Sequence, residues 1–121
     1  MPSKVIRLEA NGDPDMGLQP CRFVDPRNVE GEPPAETGHQ FFSNDAGNLT
    51  AGVWEASPYK EVIDGYPVDE LMVVISGSVE IVDVDGTREV FRKGDAFVMP
   101  KGFKGTWENR EPLRKFYMIL E

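Results

Sequence analysis

The sequence predicts an all-β domain, a barrel or sandwich of short strands, and three observations carry that prediction. From residue 49 onward, short apolar and β-branched runs recur at close spacing. Turn formers such as Ser76-Gly77, Asp85-Gly86 and Gly94-Asp95 separate them. No stretch keeps the helical period long enough for an amphipathic helix.

In chain order, a first strand is expected over residues 4–8. Residues 9–40 carry Gly12, Pro14, Gly17, Pro20, Pro26, Gly31, Pro33, Pro34 and Gly38, which leave room for little more than a short strand at 22–24. This region reads either as an arm wrapping the barrel or a neighbouring subunit, or as plain disorder. Strands then follow at residues 49–56, 70–75, 78–84, 88–91, 96–99, 105–108 and 114–120. Asp85-Gly86 marks a hairpin, because glycine enters positive φ without a steric penalty. The chain divides into a strand-plus-arm region, 1–48, and a β unit, 49–121, within one domain.

Composition excludes several classes of function. The 121 residues are 40% apolar and 28% charged, as in an ordinary globular chain, with a formal charge of −8. Nucleic-acid binding needs a basic footprint to release counterions from phosphates, and the same deficit disfavours anionic membrane surfaces. No apolar run has signal-peptide or membrane-spanning length, so a cytoplasmic location is expected. The single cysteine, Cys21, allows no internal disulfide and agrees with a reducing compartment. Asn48-Leu49-Thr50 matches a glycosylation acceptor that has no use without secretion.

The spacing of glycines and prolines carries more information. Gly94 is followed by five residues, Pro100, Lys101, Gly102, two residues, Gly105, three residues and Asn109. Glu70 is followed by six residues and Gly77. The chain thereby resembles the cupin superfamily, whose two motifs have these spacings, and the RmlC-like jelly roll, a double-stranded β-helix barrel, is the fold that the resemblance implies. Gly105 stands where the second motif has a histidine, and Asp64 and Tyr66 stand where the first motif has two. Gly52-Val53-Trp54-Glu55, Tyr66-Pro67-Val68-Asp69-Glu70, Gly102-Phe103-Lys104-Gly105-Thr106-Trp107-Glu108 and Arg114-Lys115-Phe116-Tyr117 are similar to the histidine-poor branch related to (S)-ureidoglycine aminohydrolase and ethanolamine-utilisation cupins.

Cupins hold Mn, Fe, Ni or Zn with histidines and a glutamate, since imidazole nitrogen suits such metals. Of that ligand set only Glu70 is kept here, so no cofactor and no tight transition-metal site is expected. A weak hard-cation site on Asp64 and Glu70 is the remaining alternative. If Glu70 points inward as the resemblance implies, alternation brings Met72 and Val74 with it, and Gly105 brings Trp107. On the last strand the resemblance favours an inward Lys115–Tyr117 face, which alternation alone does not select. The expected cavity is lined by Tyr66, Met72, Trp107 and Tyr117, with Glu70 as candidate acid or base. Lys115, also a catalytic candidate, or Lys104 would supply the counter-charge that a buried carboxylate requires. Gly105 in a histidine slot is expected to leave space. The competing reading is that Trp54, Trp107 and the tyrosines are simply core, around a satisfied Glu70.

The sole histidine, His39, falls in the turn-rich arm and reads as a surface loop residue, and a Cys21–His39 nucleophile–base pair has little to recommend it. Two functions stay open. One is the binding or transformation of a small polar metabolite, rich in carbonyl and amide groups if the ureidoglycine resemblance holds. The other is a non-catalytic module that binds a ligand or scaffolds a dimer. A homodimer is expected in either case, because exposed strand edges and a Pro-rich arm favour pairing.

Overall fold

The computed structural model describes residues 3–121; the first two residues of the arm lie outside them. The strands are β1 (Gln19–Pro20), β2 (Glu36–Ser43), β3 (Leu49–Ala56), β4 (Tyr59–Asp64), β5 (Asp69–Ser76), β6 (Ser78–Asp83), β7 (Arg88–Arg92), β8 (Ala96–Met99), β9 (Lys104–Asn109) and β10 (Leu113–Leu120). β3 and β5 to β10 lie within a residue of the runs that alternation marks.

Three local expectations are corrected. Residues 4–8 form no strand; Val5 is fully solvent-exposed and only Leu8 is partly buried. Residues 22–24 form no strand either; the backbone N–H groups of Phe23 and Val24 donate to the Glu36 carboxylate instead of to a ladder. The stretch read as irregular contains most of β2, and His39 is therefore a half-buried strand residue, 4.6 Å from the Phe41 ring and 3.9 Å from Asp13.

The strands form two antiparallel sheets, ordered β1-β2-β3-β10-β5-β8 and β4-β9-β6-β7. The sheets face each other across the core, and among the described residues no strand ladder joins them. The jelly roll expected from sequence is thus present, as two layers that strand pairing does not close into a barrel. Gly77 turns β5 into β6 at a φ of +81°, and a Cβ there would lie 2.2 Å from the Pro112 carbonyl oxygen. Conformation and close approach both demand glycine at this motif position.

Met72, Val74, Leu113 and Tyr117 from the larger sheet meet Ile63, Val79, Ile81 and Trp107 from the smaller one. Burying each aliphatic side chain of this kind contributes about 1.5–3 kcal/mol. At one end of the interlayer space these residues give way to aromatic and charged ones, and there the layers enclose a cavity rather than a packed core.

The arm wraps its own domain. The Arg114 guanidinium donates to the Ala10 carbonyl and to Asn11 Oδ1, both at 2.9 Å. β1 then covers the edge of β2, and a 3-10 turn at Pro26–Asn28 crosses to the cavity. The Glu30 N–H donates to the Lys60 carbonyl at 2.9 Å, which ties the arm to β4. Covering the free edge of β2 removes a site for unwanted strand pairing. Among the described residues no helix is long and apolar enough to cross a membrane.

Candidate functional site

A cavity of about 740 Å³ opens between the two sheets beneath the arm. Its size falls within the range that small-molecule sites occupy, roughly 300–1,000 Å³. Strand alternation places its floor. Glu70 points inward from β5, and Lys115 and Tyr117 from β10, all of them buried, whereas Met72, expected to line the cavity, is packed into the core instead. Tyr117 pairs directly with Met72, and Ile119 with Glu70, so the long Lys115 stem runs along the sheet to reach the carboxylate.

There Lys115 Nζ donates to Glu70 Oε2 at 2.7 Å and lies 3.2 Å from Met72 Sδ. The ammonium also stands over the Trp54 ring at 4.8 Å and the Trp107 ring at 5.3 Å. The Tyr66 hydroxyl donates to Glu70 Oε1 at 2.5 Å. Tyr66 is itself pinned by its backbone, which donates to the Phe103 carbonyl and accepts from the Gly102 N–H. Burial and then the Glu70 charge push the Tyr66 phenol far above its ordinary value, so it stays a donor. Both carboxylate oxygens are thus satisfied by groups that cannot themselves coordinate a metal in these protonation states.

The cavity wall holds a second carboxylate, Glu61, which the sequence reading passed over. It lies on the inward face of β4 with Tyr59 and Ile63, directly across the ladder from Trp107. Among the described residues its carboxylate has neither a hydrogen bond nor an ion pair. Burial first, then the negative charges of Asp25 and Glu36, push it up to about 7, against the opposing pull of Lys115. Tyr59 is raised well above its ordinary value, mainly by burial, and Tyr117 to about 12 for the same leading reason. Tyr59 and Trp107 stack at 6.4 Å with rings 28° apart, and Trp54 meets Trp107 edge-on at 6.4 Å.

The arm completes the wall. Glu36, buried on β2, accepts from Phe23 N–H at 2.9 Å and from Trp54 Nε1 at 3.0 Å, so one carboxylate holds both the arm and a cavity tryptophan. Arg27 makes a forked contact with Asp25, with Nη2 to Oδ2 at 2.8 Å. Trp54, Tyr59, Glu61 and the arm residues are thus cavity residues that the reading of residues 49–121 did not assemble.

Several expectations fail here for identifiable reasons. Lys104 is on the solvent side of β9, 62% exposed, and pairs with Asp64 at 3.6 Å. It belongs to neither the floor nor the ligand wall, because Trp107 faces inward and Lys104 is offset from it by an odd number of residues. Asp64 is 88% exposed, so the hard-cation site with Glu70 does not form. Gly105 leaves no room: a Cβ there would lie 2.1 Å from the Val82 carbonyl oxygen and 2.8 Å from the Phe103 ring. The glycine serves the close approach of β6 rather than the cavity. The Cys21 thiol is pushed up to about 11 by burial and then by Glu36, the opposite of what a nucleophile needs.

A transition metal does not fit this centre. Its one family ligand, Glu70, is committed to Tyr66 and Lys115, and the histidine slot at Gly105 is filled by backbone. Among the described residues no group of three or more His, Cys, Asp or Glu converges to hold an ion. A cation is nevertheless present on Glu70, namely the protein's own ammonium group.

Residues 44–117 match the model of the EutQ-like cupin domain. The fold is similar to that of a protein of unknown function from Pseudomonas syringae pv. tomato, with 27% identity and a TM-score of 0.80 over 84% of this chain. The chain spans 43% of that protein's length. It is similar to a protein from Thermotoga maritima at 34% identity and a TM-score of 0.50, covering 54% of this chain and 73% of that one. The EutQ protein of Clostridium difficile shares the fold at 20% identity and a TM-score of 0.63, covering 80% and 74% of the two chains. No curated protein matches. The family model covers well over half of the sequence; the chain belongs to the EutQ-like cupin family.

Proposed function

We propose that this cupin domain binds a small polar metabolite in the cavity between its sheets, without a transition metal. The observation that carries the reading is the buried Lys115–Glu70–Tyr66 cluster on the cavity floor. A lysine ammonium occupies the carboxylate that the family uses for metal, and an open, aromatic-walled volume stands above it. A buried ion pair is a costly element in a protein interior unless its geometry is good, which supports a role beyond stability.

The test is a thermal-shift screen of the purified protein against purine-degradation intermediates, small organic acids and divalent metals, run beside elemental analysis. Ligand binding stabilises the folded state by RT ln(1 + [L]/Kd), which raises the transition temperature. The expected result is stabilisation by a metabolite and not by Mn, Fe, Ni or Zn, with no stoichiometric metal in the protein. Near one transition-metal ion per chain, or silence across the organic compounds, would sink the reading.

A second reading, catalysis, draws support from the same cluster. Glu70, with Lys115 beside it, is a candidate acid–base group for an amide- or carbonyl-rich substrate of the ureidoglycine type, and proton transfer of this kind contributes about 10²–10⁴-fold to a rate. Turnover of such a substrate, lost in Glu70→Gln, is its test; binding without turnover returns the domain to the first reading.

We also propose a cytoplasmic homodimer. The arm folds on its own domain and so lends no support, but the outer face of the larger sheet does. Val98, Leu71 and Met118 stand side by side across β8, β5 and β10, each more than 40% exposed. Light scattering should give about twice 13.5 kDa, and a mass of one chain would refute the dimer.

A further inference from the structure

We infer that the cavity's ligand is a small organic cation, a primary to quaternary ammonium compound, seated between the unpaired Glu61 carboxylate and the aromatic wall of Tyr59 and Trp107. The inference rests on the binding reading above and narrows it to a chemical class.

The charges lining the cavity decide the sign. Its two cations are both committed: Arg27 to Asp25 through Nε and Nη2, and Lys115 to Glu70 at 2.7 Å. An anion entering would therefore have to compete with a carboxylate for either of these cations. It would also meet Glu61 on β4, Glu70 on β5, Asp25 on the arm and Glu36 behind Trp54. A neutral ligand would leave Glu61 uncompensated in a partly desolvated wall. A cation neutralises the ionised carboxylate in place of a proton, while its hydrocarbon part covers aromatic surface.

The molecule itself shows that this wall suits an ammonium group. Lys115 Nζ stands 4.8 Å from the Trp54 ring centre and 5.3 Å from that of Trp107, which is the geometry of cation–π attraction. Glu61 is the direct cross-strand neighbour of Trp107 and shares its inward face with Tyr59. The same aromatic system thus has a carboxylate on each side: Glu70, which already holds an ammonium, and Glu61, which holds none.

Proton linkage supports the assignment. Burial and the charges of Asp25 and Glu36 push Glu61 up to about 7, with Lys115 opposing; Arg27, Tyr59, Asp64, Tyr66, Glu70, Tyr117 and Glu121 also line this cavity. A cation favours the ionised form, so its binding releases a proton near neutrality and tightens as pH rises through that range.

The test is isothermal titration of the intact protein with three probes of matched shape: benzylammonium, benzyl alcohol and benzoate. Benzylammonium should bind on the order of tenfold tighter than benzyl alcohol, and benzoate more weakly than either. Titration in buffers of different ionisation enthalpy should show proton release with benzylammonium in the wild type. Glu61→Gln removes no hydrogen bond or ion pair and should fold. In it the cation's advantage over the alcohol should fall close to unity, and the proton release should vanish. Equal or tighter binding of benzoate or benzyl alcohol overturns the cation assignment and leaves the pocket reading intact. So does an unchanged selectivity in Glu61→Gln. No heat from any probe also overturns the assignment, and the metabolite screen then decides separately whether the cavity binds anything.

Discussion

The floor and the wall of the cavity each present a carboxylate to the same cluster of aromatic rings, yet they solve the problem of buried charge in opposite ways. Glu70 on the floor is almost wholly inaccessible, and both oxygens are engaged, one by an ammonium and one by a phenol. Glu61 on the wall is only half-buried and, among the described residues, its carboxylate has no hydrogen bond or ion pair; its environment pushes it up to about 7 instead. Desolvation of a carboxylate is compensated either by a partner or by a proton. The first solution makes a fixed structural centre; the second leaves a group that responds to pH and to whatever enters.

Breaking the floor should have the largest effect. Glu70→Gln strands the Lys115 ammonium in a buried site and should lower stability by about 3–5 kcal/mol. Adding Lys115→Met removes the stranded charge and should recover much of that loss. Chemical denaturation of the two variants checks both; a neutral single substitution would show that the pair contributes nothing. Tyr66→Phe removes one donor from Glu70 but keeps the ion pair, and should cost less, about 1–2 kcal/mol by the same measurement.

The wall should respond least, and with a different dependence on pH. The folded-state value of Glu61 lies above its ordinary 4.5, so its ionisation favours the unfolded chain. Its contribution to stability is therefore greatest below about 4.5 and falls as pH rises through about 7. Glu61→Gln removes this loss. Thermal transitions of variant and wild type should separate, variant higher, as pH rises through that window. A constant offset across it would contradict the assignment.

The floor and Trp107 were legible in the sequence and the rest of the wall was not, for reasons that lie in the residues. The motif spacing pointed to Glu70, and the period of two in a strand carried Met72, Lys115 and Tyr117 with it onto one face. β4 escaped notice because Lys60, Glu61 and Asp64 interrupt its apolar character between Pro58 and Gly65. The alternation Tyr59–Glu61–Ile63 was nonetheless present, and a charged residue at its inward position was the available signal. Lys104 was also decidable: with Trp107 inward, alternation already sends it outward. Gly105 was not, because its neighbour across the ladder, Asp83, and the nearby Val82 carbonyl are known only once the register of β6 and β9 is known. The arm's share of the cavity depends on contacts such as Phe23 to Glu36, thirteen residues apart, that no local pattern encodes.

The place of β10 in the larger sheet has a consequence for how the domain is assembled. It is the latest strand in chain order, yet it lies between β3 and β5, with backbone ladders to both. Until it arrives, β3 and β5 each present an unpaired edge, and the cavity floor lacks Lys115 and Tyr117. Such edges are templates for aberrant pairing, and sheets that wait for distant partners form slowly. A nascent chain halted before residue 113 would therefore be both siteless and adhesive. Folding of the sheet and completion of the cavity floor are then a single late event.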